Sequence, residues 1–271
     1  MTDFYTIPER LTLPSEKKGR VETLAYETIA YDNDERKLSK EAKVYLPYGF
    51  SREKEYPLLI LMHGGGDNEN YWLVKNSETV DMIDSMMAEG LAKECIIVTP
   101  TFYPRDKEIG FREGGYLPAA FHNEVRNDLL PAIEAAYPVI RDRNSRAFAG
   151  LSMGSMTTYW SALVKMLDLF SWFGPYSGCN GPKCDIEASA GAIVKAIDSD
   201  FAEYPINYLL CCNGTEDIAH DEHVEIMKIV SEKSAKVNEG ENYEFIDILG
   251  AKHEYRAWKW DLYYSLTRFF K

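Results

Sequence analysis

Residues 146–164 read RAFAGLSMGSMTTYWSALV: a short apolar run, a serine enclosed by Gly150 and Gly154, then a helical pattern. Few folds accept this order. A strand that turns sharply into a helix at a G-x-S-x-G tolerates little side chain beside the serine, hence the glycines. The serine then projects from the C-terminal edge of a parallel sheet, at a helix N-terminus that favours negative charge. A nucleophile elbow is the expected reading, and a glycine-rich turn with a capping serine is the bland one.

The rest of the chain supplies the sheet such a turn needs. Thr23 to Tyr31 alternates polar and apolar residues like a half-exposed strand, and Glu41 to Pro47 looks like its neighbour. Leu58 to Met62 is continuously apolar, as a central strand covered on both faces should be. Cys95 to Pro100, Phe170 to Gly178, Ile206 to Gly214 and Asn242 to Gly250 add further strands. Helical spacing occupies Ser77 to Gly90, Phe121 to Pro138 (where Pro131 demands a kink or break), 155–167, 221–237 and 256–270. This alternation predicts the α/β class, an α/β-hydrolase fold: a mostly parallel central sheet with helices on both faces and antiparallel strands at the N-terminal edge. With 271 residues, no internal repeat and no linker, one domain over 1–271 is expected, with 1–22 as an N-terminal extension.

A serine hydroxyl needs a base, and the base needs an orienting acid; in this fold they follow in the order serine, acid, histidine. His253, in GAKHEY just after the last strand, is the expected base. His220, near a helix start, is its rival. The acid belongs in the loop GTEDIAHDE: Asp217 is chosen, Glu216 held in reserve, and Asp221 read as a helix cap. Two amides must stabilise the oxyanion. Met153 N–H is one, and the glycine run after Leu58 to Met62 supplies the other, Gly65 with Gly66 as an alternative. His63 is expected to brace that loop. The mechanism calls for no cofactor and no metal.

The net charge of −13 repels nucleic acid and anionic membrane surfaces, so neither is an expected partner. No run reaches the apolar length of a membrane span, and the N-terminus lacks a signal core. A cytoplasmic location is the default expectation, or secretion if the chain is a trimmed piece. Of five cysteines, Cys95, Cys211 and Cys212 read as buried thiols, whereas Cys179 and Cys184 flank a loop they could bridge. Oligomeric state is not legible.

Five blocks, LMHGGGDNENYW, IIVTPTF, GLSMGSMTTYW, GTEDIA and GAKHEY, together resemble the feruloyl esterases of carbohydrate esterase family 1, and most of all the esterase modules attached to bacterial xylanases. The resemblance runs from about Tyr45 to the C-terminus. It implies the triad Ser152, Asp217 and His253, and hydrolysis of feruloyl or p-coumaroyl esters on arabinoxylan or its oligosaccharides. Two departures stand out: Glu254 and Tyr255 follow His253 where the family often has aromatic residues, and Tyr176 to Ser189 is individual. An aryl acyl group needs a flat apolar slot with a polar end. Tyr176, Trp258 and Trp72 are the expected walls, with Phe102 and Tyr116 as further candidates. An acetylxylan or other small-acyl esterase, or a non-catalytic binding module, are the competing readings.

Overall fold

The structure, a computed structural model, describes residues 6–31, 35–103, 120–181 and 183–271. Eight strands among the described residues form one sheet: β1 (Arg20–Ile29), β2 (Lys37–Leu46), β3 (Leu58–Met62), β4 (Ile96–Thr99), β5 (Arg146–Leu151), β6 (Trp172–Tyr176), β7 (Tyr208–Gly214) and β8 (Tyr243–Ile248). Their order is β1-β2-β4-β3-β5-β6-β7-β8. Strands β3 to β8 run parallel, and β2 is antiparallel to both its neighbours at the N-terminal edge. This is the α/β-hydrolase sheet that the sequence pattern implies.

Burial explains the two strand types. Every residue of β3, β4 and β5 is buried, so continuous apolar runs suit them. Strands β1 and β2 alternate buried and open positions, one face wet. The helices are α1 (Glu78–Ala88), α2 (Phe121–Glu124), α3 (Leu130–Ala136), α4 (Met153–Thr157), α5 (Ile186–Lys195), α6 (His220–Lys233) and α7 (Tyr255–Leu266). One face of the sheet packs on Val125, Ile133, Tyr159, Ile193 and Ile226, from the α2–α3 stretch, α4 with its continuation, α5 and α6. The opposite face packs on Met82, Ile83, Leu262 and Leu266 from α1 and α7.

Three local expectations change. The helical stretch across Pro131 does not break: a wider π-turn over Val125–Leu129 joins α2 to α3. Widening that turn moves the carbonyl that the proline ring would strike. Helix α5 was not expected, although Asp185 caps it by accepting the Ala188 amide at 3.0 Å. Finally, the first strand starts earlier than Thr23, within the 1–22 N-terminal extension. Strand β1 already begins at Arg20, Leu11 is fully buried in the α1 side of the core, and Gly19 N–H donates to Asp84 at 2.8 Å.

Candidate active site

The C-terminal ends of β3, β5, β7 and β8 deliver four loops to one edge of the sheet. At the end of β5, Ser152 adopts φ 54° and ψ −116°, a strained conformation held by its surroundings. Its own amide donates to Tyr176 O at 2.8 Å. The flanking glycines are required by contact. A Cβ on Gly150 would lie 2.7 Å from Met62 Cβ, and one on Gly154 would lie 2.6 Å from His63 O. The helix therefore crosses β3 at backbone distance, which fixes the hydroxyl at the sheet edge.

Three side chains converge there. His253 Nε2 stands 2.9 Å from Ser152 Oγ, and His253 Nδ1 stands 2.9 and 3.1 Å from the two oxygens of Asp217. The Asp217 side chain is fully buried and also accepts the Ala219 amide at 2.8 Å. Burial opposes its ionisation, but hydrogen bonds from His253 and the Ala219 amide outweigh burial and hold the carboxyl below its usual range. A carboxylate accepting at Nδ1 fixes the proton on that nitrogen and leaves Nε2 as the acceptor facing the serine. Glu216, the reserve acid, is exposed and faces Lys252 at 3.8 Å. His220, the rival base, is held by Asp221 and Asp247 at 3.0 and 2.9 Å. Asp221 does not cap α6: Ala219 holds the N-cap position, and Asp217 takes the Ala219 amide.

The glycine loop lies against the elbow, since a Cβ on Gly64 would meet Leu151 at 2.5 Å and Ser152 Cβ at 3.4 Å. His63 ties this loop down. Its Nδ1 donates to Gly64 O at 2.7 Å, and its Nε2 accepts from Thr101 Oγ1 at 2.9 Å. Burial pushes its pKa down to about 4, so the ring is neutral and acts as a brace. Gly65 is exposed at the mouth of this loop, and Met153 provides the first amide of α4.

A cleft of about 310 Å³ opens beside Ser152 and His253. Met153, Met156, Ile218 and Ala219 line it together with Ser177, Gly178, Gly181 and Glu222. The expected aromatic slot is not what the described residues build. Tyr176 is fully buried, because it is the last residue of β6 and points to the α7 face, where its hydroxyl donates to Ser265 at 2.6 Å. Trp72 is also fully buried and donates to Met62 O at 2.9 Å. Phe102 packs against His63 with its ring tilted by 33°. Trp258 backs the base instead: its ring meets His253 edge-on at 4.9 Å, and its Nε1 donates to Ser177 Oγ at 2.8 Å. Tyr116 lies outside the described residues. Cys179 and Cys184 are both free thiols, so no disulfide closes their loop. Sequence reading missed Met156, Ile218 and Glu222; only the position of Ile218, directly after Asp217, pointed to the cleft.

Known proteins share this framework. The family model described as "Putative esterase" matches residues 36–269. Xylanase Y of Acetivibrio thermocellus is 29% identical over 248 residues, covering 86% of this chain and 22% of its own length. A xylanase/feruloyl esterase of Xylanibacter ruminicola is 34% identical over 142 residues, covering 51% of this chain and 19% of its own. The chain thus spans about a fifth of the curated relatives it matches. Among solved structures, a mutant of the feruloyl esterase module from Clostridium thermocellum, complexed with sinapinate, superposes with TM-score 0.83 at 26% identity, covering 97% of this chain and 92% of that one. A ferulic acid esterase of carbohydrate esterase family 1 from Anaeromyces mucronatus shares the fold, with TM-score 0.77 at 20% identity over 98% and 97% of the two chains.

Proposed function

Starting from a chain that belongs to the esterase family over residues 36–269, we propose that it is a serine carboxylesterase that releases ferulic or p-coumaric acid from arabinoxylan or its oligosaccharides through an acyl-enzyme. The observation that carries this is the Ser152–His253–Asp217 chain of hydrogen bonds at the mouth of an apolar cleft. The likeness to feruloyl esterase modules over nearly the whole chain supports the acyl class.

In this reading Ser152 Oγ attacks the ester carbonyl carbon while its proton passes to His253 Nε2, and Asp217 stabilises the imidazolium that forms. The carbonyl oxygen takes up the negative charge and is met by the amides of Met153 and Gly65, worth several kcal/mol of barrier. Collapse breaks the bond to the sugar oxygen, which leaves with the proton from Nε2. Water then repeats the sequence on the acyl-enzyme and frees the hydroxycinnamic acid. The apolar walls Met153, Met156 and Ile218 desolvate the acyl chain and leave the sugar in solvent.

The test is a panel of methyl ferulate, methyl p-coumarate, and p-nitrophenyl acetate and butyrate with purified protein. Release of ferulate and p-coumarate is expected. Turnover of the acetyl ester with no release of either acid would reassign the chain to small-acyl esters.

A further inference from the structure

Glu222 is a carboxylate inside the cleft that the mechanism above does not use. It is 7% exposed, sits in the first turn of α6, and lines the same cavity as Ser152 and His253. Its position comes from the loop after β6. Ser177, Gly178 and Gly181 there have φ of 61°, 112° and 95°. These left-handed residues turn successive amides to one side, forming a concavity for an anion. Glu222 Oε1 fills it, accepting from the amides of Cys179 at 2.8 Å, Gly181 at 3.1 Å and Asn180 at 3.3 Å. The fit is close. A Cβ on Gly178 would stand 3.2 Å from Oε1 and 3.0 Å from Ala219 Cβ.

The two oxygens are not equally served. Among the described residues, Oε2 has only the Asn180 amide at 3.4 Å and the Cys184 thiol at 3.9 Å. A carboxylate has about four acceptor positions, so Oε2 retains capacity for a strong donor. Of the other described side chains lining the cleft, Met153, Met156, Ile218 and Ala219 carry no donor, and Ser152, Ser177 and His253 are engaged with one another, Asp217 and Trp258. A neutral hydroxyl at the far end of an otherwise apolar group is the ligand chemistry that such a cleft lacks. A negatively charged group there would be repelled, and a purely apolar one would leave the carboxylate poorly solvated.

We infer that Glu222 is a specificity-determining residue, accepting a hydrogen bond from the 4-hydroxyl of the hydroxycinnamoyl group while the 179–181 amides hold its carboxylate in place. This rests on the esterase reading above and deepens it: the acyl pocket selects phenols over plain aryl chains. Sites built to bond a hydroxyl discriminate strongly against analogues without one, whereas apolar pockets do not.

The experiment compares kcat/KM for methyl p-coumarate and methyl cinnamate, which differ only by that hydroxyl. Wild type should favour p-coumarate by at least about tenfold. In Glu222→Gln the amide oxygen is claimed by the three backbone donors, so the NH₂ can only donate to the phenol oxygen, a neutral bond weaker than the charge-assisted one it replaces, and the preference should fall by about threefold or more. Glu222→Asp keeps the charge for the loop but withdraws it from the cleft. It should lose the preference too, and it serves if Glu222→Gln does not fold. A wild-type ratio near one, or a ratio unchanged in a folded variant, overturns the inference while leaving the esterase reading intact. Hydrolysis of acetyl esters with none of either cinnamate overturns both.

Discussion

Replacing Asp217 by Asn changes one atom and tests the whole relay. Oδ1 accepts the Ala219 amide at 2.8 Å, so the asparagine oxygen is drawn to that position. The new NH₂ then stands where Oδ2 stood, 3.1 Å from His253 Nδ1 and donor facing donor, while the neutral oxygen keeps only a weakened hold on the same nitrogen at 2.9 Å. The imidazole relieves this by moving its proton to Nε2. That nitrogen, 2.9 Å from Ser152 Oγ, can then no longer accept the serine proton. The imidazolium of the transition state also loses its countercharge. Together these should lower kcat by about 10⁴, or about 5 kcal/mol of barrier, with KM little changed. Steady-state hydrolysis of methyl ferulate measures it, with circular dichroism to verify the fold. A variant within tenfold of wild type would refute the reasoning and return the acid role to another group.

Two further outcomes follow from buried charge. His63 and His223 are fully enclosed, and burial lowers their pKa from 6.5 to about 4 and about 3. Below pH 6.5 the unfolded chain takes up protons that the folded chain refuses, so stability falls with pH; the two rings should remove about 4 kcal/mol between pH 7 and pH 5. Urea denaturation at the two pH values measures this, and equal stabilities would contradict the assignment of neutral buried rings. Lys40, with a fully buried side chain, is held by Glu124 at 2.7 and 2.9 Å and by Thr101 O at 2.6 Å. Glu124→Gln removes the carboxylate paired with that ammonium and should cost about 3–5 kcal/mol. Thr101 also holds His63, so kcat should fall as well; thermal denaturation and kinetics unchanged from wild type would contradict the coupling.

The triad was legible because each member directly follows a strand with its own signal. Ser152 has its glycine pair, Asp217 follows Gly214 at the end of β7, and His253 follows Gly250 after β8. Such loops must leave the same edge of a parallel sheet, so chain order alone brought the residues together. The lining of the cleft was not legible, because one residue of register decides which face a side chain takes. Tyr176, still within β6, turns into the α7 face, whereas Ser177 and Gly178, just past the strand, line the cleft. Glu222 reads in sequence as one more charge in an acidic helix start; only folding brings it under the amides of the 179–181 loop. Helix α5 is hard to read in sequence because Gly191 and the small residues Ala188, Ala190 and Ala192 blur its apolar stripe, although Asp185 is a recognisable cap.

The central claim is that Ser152 carries the acyl group. Acid-quenching the enzyme during turnover of methyl ferulate, followed by peptide mass spectrometry, tests it directly. The account predicts a feruloyl adduct on the peptide containing Ser152, and neither adduct nor ferulate release in Ser152→Ala. An adduct on a different residue, or sustained ferulate release by Ser152→Ala, would contradict it.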